Sequence, residues 1–521
     1  MKLLLSKRDT SIVKGFAILC IVFHNYFHWL WPSPGENEFQ FSMEAVHKLF
    51  EQLHLYPGEW VNLLFSYFGH YGVQLFVMVS GYGLVLSMMH RSRSWGAFML
   101  DRLKKLYPLL LTAIIVYFFE CVLVEARTLS SYEKTELGYK LLFIHTLLPN
   151  SGLSVNGPWW FFGLIFQLYL LFPLLYRCMK KWGWKAFWII LAVSYGLIFL
   201  FREYIHLYNG ELLMQNAPGH LPEFCYGMML AFSKDKNIHW GWLLLAVVLF
   251  VWGNFAPGFY PFTFLSVCVI AAFAYQGLKS LPFKKHWLSS PLAYFGGVSI
   301  TLFAVHGFFR TPVLKWAYTL TTPMGHFWSG LVFFLMVWGV ALAAKPLYDF
   351  MVALLNRIHL RESRASKVVE RVCQGCLCLF FAFVAGYYVA QALNRYDREV
   401  ISCELNTPAG MVDRHQETVM LANHSFDQRL LALNLKVSFD VCSLDTTAKL
   451  PSLVISIPGM LWKSVELPAE YNTKKLGHYE YTEQFLCPFV QNTKHKRMDV
   501  YFSNREKGMM EYQNAKVEIK Y

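Results

Sequence analysis

Long runs of apolar residues, interrupted by short polar gaps, occupy most of this chain up to about residue 393. Most of these runs have about the 17–25 residues that a helix needs to cross a bilayer. The pattern therefore predicts a polytopic α-helical membrane protein with about ten or eleven transmembrane helices. We place these helices approximately at residues 11–31, 61–89, 105–124, 159–178, 186–205, 219–232, 239–255, 260–278, 288–310, 326–348 and 372–393.

After residue 393 the pattern changes to an alternation of apolar and polar positions with a period of two. Such alternation, with turn residues between the segments, is typical of antiparallel strands and indicates a small β-sandwich. The predicted strands are 431–441, 450–457, 478–486, 498–504 and 515–521. The predicted domains are therefore a transmembrane domain at 1–348, a basic linker with an additional transmembrane helix at 349–393, and an all-β domain at 394–521.

Composition and charge indicate where the membrane part (1–393) and the β-domain (394–521) lie relative to the membrane. Only 16% of the residues are charged, against about 25% in a typical soluble protein. The net charge of +13 comes entirely from the first 393 residues, because 394–521 contains 16 Lys/Arg and 16 Asp/Glu. Of the 31 basic residues in the membrane part, 24 fall on one side of the predicted topology. Basic loops face the cytoplasm, so we predict a cytoplasmic N terminus, an extracytoplasmic β-domain and no nucleic-acid partner.

The predicted β-domain contains Cys403, Cys442 and Cys487. An extracytoplasmic domain can form disulfides, and Cys442–Cys487 is the pairing that we consider. Buried free thiols are the alternative, and the sequence leaves both open.

Ionisable groups inside an apolar run are costly to bury and are therefore functional candidates. His24 lies roughly 18 Å along the first run, past the midplane of a bilayer core about 30 Å thick. A histidine there can accept and return a proton or carry an acyl group, although it can also serve only helix packing. His306 ends another run, where a plain interfacial histidine is the alternative. Glu223 lies at the start of a third run. It is a candidate for an orienting partner, and an interfacial carboxylate is the alternative.

Two further groups suit ligand binding. Arg102 and Lys105 lie three residues apart, on one face of a helix at the predicted cytoplasmic boundary, where they can hold phosphates or simply anchor the helix. Trp159 and Trp160 suit a surface on which a sugar stacks, or an aromatic belt at the membrane interface. The compact trio of cysteines in CQGCLC (373–378) could suggest a metal site, but at the start of a helix such a trio more often serves packing or palmitoyl-like surface chemistry, and we predict no metal.

Six segments together resemble the membrane acyltransferase-3 family, whose members acylate bacterial surface glycans. The resemblance covers approximately residues 6–348, with the motifs in the family's order. The segments are KGFAILCIVFH (14–24), GVQLFVMVSGYG (72–83), RLKKLYP (102–108), the Trp159–Trp160 pair followed by QLY (167–169) and Pro173, LPEF (221–224) with Gly227, and SITLFAVH (299–306). Lys14 and Lys105 stand where the family usually has arginine, and Gln74 stands where it has aspartate.

The resemblance implies an integral-membrane O-acyltransferase in the cytoplasmic (inner) membrane, surrounded by the lipid bilayer. The donor would be acetyl-CoA or another acyl-CoA, and the acceptor a hydroxyl of an extracytoplasmic glycan or glycolipid. It assigns His24 as general base or transient acyl carrier, with His306 and Glu223 as further catalytic candidates. Donor binding would fall to Arg102, Lys105, Lys14 and Ser80, and acceptor binding to Trp159, Trp160 and Tyr169.

Two other classes of protein would use the same features. A transporter or flippase of a lipid-linked glycan or small solute also needs intramembrane polar groups, but it is often built from inverted repeats. We find no convincing internal repeat in the sequence. An envelope sensor would use the β-domain to bind a ligand, but every predicted cytoplasmic loop is short.

Overall fold

The computed structural model describes residues 5–201, 211–233, 239–280, 286–357, 364–393, 400–427, 430, 432–458, 460–487, 494–504 and 507–521. These residues form two compact units. The first consists of helices and ends at Gly375, and the second consists mainly of Cys376–Tyr521 and contains the strands. The predicted boundary at residue 394 lies outside the described residues, and the last helix belongs to both units.

Sixteen α-helices are present among the described residues. The helices are α1 (Lys7–Phe27), α2 (Met43–Leu55), α3 (Trp60–Phe68), α4 (Gly72–His90), α5 (Trp95–Leu123), α6 (Ser131–Leu141), α7 (Trp160–Trp182), α8 (Trp184–Phe199), α9 (Glu211–Met214), α10 (Ala217–Phe232), α11 (Gly241–Gly253), α12 (Thr263–Ser280), α13 (His286–Val305), α14 (Arg310–Ala317), α15 (Pro323–Leu355) and α16 (Arg364–Leu393).

Eight helical segments of the described chain are long and apolar enough to cross a membrane, so the protein is a multi-pass membrane protein. These segments are Lys7–Phe27, Pro57–His90, Trp95–Leu123, Gly157–Trp182, Tyr260–Lys279, Leu288–Val305, Pro323–Leu355 and Val368–Ala390. All eleven predicted runs fall on helices. Three of those helices, α8, α10 and α11, have only 13–16 residues and are shorter than a full crossing requires.

Two connecting regions differ from the simple loops that the sequence suggests. The acidic segment after α1 contains the helix α2, whose N-cap Ser42 accepts a hydrogen bond from the backbone of Ala45. In the predicted basic linker, residues 349–355 continue α15 and α16 begins at Arg364. The linker is therefore mostly helical, because its amphipathic residues simply extend the two neighbouring helices.

The first helix is held against α13 by two glycines. A Cβ atom on Gly15 would lie 1.8 Å from the carbonyl oxygen of Leu292, and one on Gly296 would lie 1.8 Å from that of Ser11. The two backbones therefore touch, as small residues allow at helix crossings in membranes. This contact fixes the position of α1, the helix that carries His24.

The second unit is a sandwich of two antiparallel sheets around one hydrophobic core. Its strands are β1 (Ile401–Ser402), β2 (Gly410–Val412), β3 (Thr418–Ser425), β4 (Ala432–Ser443), β5 (Ser452–Ile457), β6 (Leu461–Val465), β7 (Gly477–Leu486), β8 (Arg497–Ser503) and β9 (Met510–Lys520). One sheet has the order β1-β9-β4-β7, with β2 also paired to β9, and the other has the order β3-β8-β5-β6. All five predicted strands are confirmed, and the described residues contain four further strands, β1, β2, β3 and β6, that were not predicted.

Strand register decides the cysteine question against a disulfide. Among the described residues, Cys403, Cys442 and Cys487 form no disulfide. Cys442 lies near the end of β4 that pairs with Gly477, whereas Cys487 follows Leu486, which pairs with Ala432 at the other end of β4. Ten residues of strand separate the two ends by about 33 Å, far beyond the reach of a disulfide. The suggested Cys442–Cys487 pairing is therefore wrong.

Candidate active site

The last turn of α1 carries His24, whose side chain is almost fully buried. Its Nδ1 atom lies 2.8 Å from the carbonyl oxygen of Ser66 in α3. Because a carbonyl oxygen only accepts hydrogen bonds, Nδ1 carries a hydrogen and donates it. This bond fixes the tautomer and orientation of the ring, and it leaves Nε2 as the atom available for chemistry.

The loop after α1 returns a carboxylate to this histidine. α1 ends at Phe27, and the chain passes Pro32 and Pro34 before it reaches Glu36. Oε2 of Glu36 lies 2.8 Å from Nε2 of His24. Two atoms that each hold only lone pairs would repel at this distance, so the contact is favourable when a proton is bound to one of the two groups, as in an ion pair. We call these two residues the His24–Glu36 pair.

A second carboxyl group, that of Glu38, lies within 4.8 Å of the reactive atoms of the pair. Burial favours the neutral form of both carboxyls, but the hydrogen bond and charge of His24 lower the pKa of Glu36 to about 2. Burial and the negative charge of Glu36 raise the pKa of Glu38 to about 8. At neutral pH the site therefore contains one ionised and one protonated carboxyl, which limits its net charge.

Two more histidines surround the pair. Nδ1 of His28 lies 3.6 Å from Oε2 of Glu36, one helical turn after His24. The ring of His70 lies 5.7 Å from that of His24, between centroids, and its buried Nδ1 has no hydrogen-bond partner among the described residues. The end of α1 is thus a cluster of imidazoles and carboxyls, the arrangement that proton transfer requires.

Distance alone would let His24, Glu36 and Glu38 hold a divalent cation. The contact of 2.8 Å between Nε2 and Oε2 is a hydrogen-bond distance, however. Two ligands about 2.1 Å from a tetrahedral zinc ion would lie about 3.4 Å apart. The distance therefore fits a shared proton better than two ligands of one ion. That no metal is needed stays a prediction.

We expect the acyl transfer that the sequence resemblance implies to be unchanged after dialysis of the purified protein against EDTA, because the His24–Glu36 pair needs only a proton. Activity with and without the chelator measures this. Loss of activity that zinc or manganese restores would instead assign these three residues as metal ligands.

His306 directly follows α13 and is completely buried. Its Nδ1 lies 2.7 Å from the carbonyl oxygen of Phe303, and its Nε2 has no hydrogen-bond partner among the described residues. No direct contact between His306 and His24 is present in the described part of the chain. The catalytic role of His306 stays a prediction, with Nε2 as the atom that would act.

Glu223 contacts a histidine that the sequence analysis did not single out. Its Oε1 lies 2.6 Å from Nδ1 of His220, three residues earlier in α10, and both side chains are fully buried. His220 in turn stacks between Trp160 and Phe264. The structure therefore pairs Glu223 with His220, whereas the acid that faces His24 is Glu36.

The tryptophan pair at the start of α7 is enclosed by the helices. Trp159 is fully buried and donates from Nε1 to the carbonyl oxygen of Ala304 at 3.0 Å. Trp160 is 3% exposed and stacks on His220. This burial favours a packing role over the predicted contact with a sugar. Trp29 and Trp31, which follow α1 in the chain, are each about half exposed.

Arg102 lies in a recess between aromatic rings. Its guanidinium carbon is 5.6 Å from the ring centroid of Phe98 and 5.9 Å from that of Tyr169, and its buried Nε has no hydrogen-bond partner within the described parts of the chain. Tyr169 was predicted to touch the acceptor, but the structure places it beside this predicted donor-binding arginine. Lys105, one turn later in α5, is exposed and its charge acts on the same region.

Lys14 and Ser80 are the remaining predicted donor-binding residues. Both are partly buried, in α1 and α4 respectively. Neither side chain makes a hydrogen bond or ion pair with another residue in the part of the chain that the structure describes. Their assignment to the donor stays a prediction.

Glu36, Ser66 and His70 are site residues that sequence reasoning did not select. Glu36 stood out only as one of several acidic residues in a predicted outer loop. Ser66 contributes its backbone carbonyl, so its side-chain type carries no signal. The one available clue was the return of an acidic residue 12 positions after His24, beyond two prolines that force a turn.

Comparison with known proteins gives one match. The family model described as an acyltransferase domain matches residues 11–345, which is more than half of the chain. No curated protein and no solved structure matches the chain.

Proposed function

Since this chain belongs to the acyltransferase-3 family, we propose that it is an O-acyltransferase with an acyl-CoA donor, most simply acetyl-CoA. The acceptor is a hydroxyl group of a glycan or glycolipid on the extracytoplasmic side of the inner membrane. The observation that carries this proposal is the buried His24–Glu36 pair at the end of α1. Such a pair can take the proton that a hydroxyl must lose when it attacks an acyl group.

The chemical step is a direct transfer. The step begins with the pair in its proton-free form, in which Nε2 of His24 is unprotonated and Glu36 is ionised. Nε2 accepts the proton of the acceptor hydroxyl, and the hydroxyl oxygen forms a bond to the thioester carbon. The carbon–sulfur bond then breaks, and the thiolate of CoA takes the proton from Nε2 as it leaves, which restores the pair. Hydrogen bonding of Nδ1 to Ser66 keeps the imidazole oriented throughout.

This geometry supports His24 as a base over His24 as an acyl carrier. A carrier would need Nε2 free to attack the thioester. Nε2 instead lies against the Glu36 carboxylate at 2.8 Å. A carboxylate in that position assists proton transfer but obstructs the formation of an acyl-imidazole.

The donor is proposed to bind near Arg102, toward the N-terminal end of α5. Oε1 of Glu120, near the C-terminal end of this helix, accepts a hydrogen bond from Phe309 at 2.5 Å, close to His306. Arg102 lies 18 residues earlier, about 27 Å along the helix. This separation suits a donor whose phosphates stay on the basic, cytoplasmic side while its acyl group reaches toward His24.

Replacing Arg102 with glutamine is expected to raise the KM for acetyl-CoA by about 10- to 100-fold, with a smaller effect on kcat. The reason is the loss of charge-assisted hydrogen bonds to a phosphate. Initial rates at varied acetyl-CoA concentration measure the change. Arg91→Gln, at an exposed arginine after α4, is the control and should leave KM unaltered. Equal KM values for both variants would remove Arg102 from the donor site.

The proposed function itself is tested by the fate of the acyl group. Purified protein in liposomes receives acetyl-CoA with a labelled acetyl group on the side of its basic loops, and an envelope glycan fraction on the other. Ester-linked label on the glycan supports the proposal. Movement of unmodified glycan, without label, would instead support a transporter. Mass spectrometry of surface glycans from cells with and without the protein identifies the modified hydroxyl.

A further inference from the structure

A turn between α13 and α14 presents one arginine, Arg310, to the end of α1. Phe309 adopts a left-handed conformation with φ of 58°, and its backbone N–H donates to Glu120. These two features hold the turn in place, because a left-handed bulky residue persists only where its surroundings fix it. Arg310 is the first residue of α14, and its position is therefore set by the backbone.

The guanidinium of Arg310 lies over an exposed aromatic ring. Its carbon Cζ is 4.5 Å from the ring centroid of Trp29, whose side chain is 54% exposed. Nη1 donates to the carbonyl oxygen of Asn25 at 3.0 Å. Tyr318 donates to the carbonyl oxygen of Trp29 at 2.7 Å and steadies the tryptophan backbone. The arginine and the tryptophan thus form one surface next to the end of α1.

Helix capping explains only part of this arrangement. The hydrogen bond to Asn25 satisfies a carbonyl at the C-terminal end of α1, a common task of arginine. It uses one of the five N–H groups of the guanidinium. Among the described residues no Asp or Glu lies within ion-pair distance of Arg310, although the carboxylate of Glu120 is near enough to act on its charge. The other N–H groups of Arg310 make no hydrogen bond with the described residues. Arg310 therefore has N–H groups without a hydrogen bond to the described residues, next to the exposed ring of Trp29.

This surface lies close to the His24–Glu36 pair. The ring of His28 is 5.8 Å from that of Trp29, between centroids, and its Nδ1 is 3.6 Å from the Glu36 carboxylate. His28 therefore separates a cationic surface from an acidic one. A negatively charged ligand would be repelled by Glu36 and attracted by Arg310, so the two sides give it a single orientation.

We propose that Arg310 and Trp29 form a subsite for an anionic group of the acceptor, a carboxylate or a phosphate on the sugar next to the acylated one. The proposal rests on the proposed acyltransferase function and adds the charge of its acceptor. Arginine binds both oxyanions through parallel hydrogen bonds. The exposed face of Trp29 receives the apolar side of the sugar ring.

The test compares acceptors that differ only in charge. The probes are a short oligosaccharide with hexuronic acid residues, the same oligosaccharide with its carboxylates reduced to alcohols, and one that carries a phosphate. We expect the wild type to prefer the charged probes, with a KM on the order of 10- to 100-fold below that of the reduced probe. The charged probe with the lower KM, phosphate or hexuronic acid, identifies which anionic group the subsite binds.

Arg310→Gln separates binding of an anion from helix capping, because the glutamine amide can still donate to Asn25. We expect this variant to lose the preference for charged probes, mainly through KM, with thermal stability retained. Lys315→Gln, at an exposed cation of α14, should keep the preference. Equal use of charged and reduced probes by the wild type, or an equal loss of kcat on all probes in Arg310→Gln, would overturn the proposal.

Binding without the donor distinguishes this inference from the proposed function. Equilibrium binding of the charged and reduced probes to the full-length protein needs no catalysis. Tighter binding of the charged probe, lost in Arg310→Gln, supports the subsite even if no acyl group is transferred. Acyl transfer without any charge preference would support the enzyme and refute the subsite.

Discussion

Replacement of His24 with alanine is expected to reduce acyl transfer at least about 100-fold, without loss of acyl-CoA binding. The size of the effect follows from the contribution of a positioned general base, which is typically 10²–10⁴-fold. His24 also holds Glu36 in place, so its removal disables both members of the pair. Donor binding should persist because Arg102 lies far from His24 along the bundle.

The rate of acetyl transfer from acetyl-CoA measures this effect, and thermal unfolding verifies that the variant is folded. His24→Gln is a second variant, whose amide can still donate to the Ser66 carbonyl. His54→Ala, at an exposed histidine in the last turn of α2, is the matched control and should be fully active. Wild-type rates in both His24 variants would rule out the proposed mechanism.

Glu36→Gln tests whether the two residues act as a unit. If they share one proton-transfer step, the double variant should be no slower than His24→Ala alone. Additive effects of the two changes would mean that Glu36 acts elsewhere.

Replacement of Gly296 with alanine is expected to destabilise the helical unit strongly. The new Cβ would lie 1.8 Å from the carbonyl oxygen of Ser11, whereas such carbon–oxygen contacts need about 3.3 Å. The oxygen belongs to the backbone and the position of a Cβ is fixed by the backbone, so neither atom can rotate away and α1 must separate from α13. Overpacking of this kind costs about 1–3 kcal/mol or more, and acyl transfer should fall as well because α1 carries His24.

The adjacent glycine is the matched control for this prediction. A Cβ on Gly297 would meet nothing within 4 Å, and Gly297 is exposed. Gly297→Ala should therefore leave the unfolding temperature unchanged or raise it slightly, because alanine favours the helix by up to about 1 kcal/mol. Thermal unfolding of the two variants in the same detergent measures the difference. Equal unfolding temperatures would show that α1 and α13 do not pack as described.

The helices and the strands could be predicted because each leaves a local signature. A segment in lipid must satisfy its backbone internally and expose apolar side chains, so a long apolar run predicts a helix. A strand with one buried face must alternate apolar and polar side chains. The alternation at 431–441 therefore predicts β4 (Ala432–Ser443). The helix α2 (Met43–Leu55) was not predicted, since its mixed polar sequence lies between two stronger signals.

The site was predictable only in part. His24 was identified because a histidine inside an apolar run is energetically unusual. Glu223 was considered as an orienting partner or as an interfacial carboxylate, and it lies 2.6 Å from His220. Glu36 was passed over, because an acidic residue in an exposed-looking loop has no local feature that sets it apart. Trp159 and Trp160 were predicted to form a sugar-stacking surface or an interfacial belt. Nothing in their sequence context shows that both rings are buried among the helices.

The sequence by itself determined the membrane class, the all-β second unit, the family and the histidine at the end of α1. Each of these depends on residue type or on periodicity along the chain, which a sequence displays directly. Only the tertiary structure decided which groups meet: Glu36 with His24, Tyr169 with Arg102, and Arg310 with Trp29. These contacts depend on where helices end and how loops return. Such positions are set by packing between distant segments, including the glycine contacts of α1 with α13.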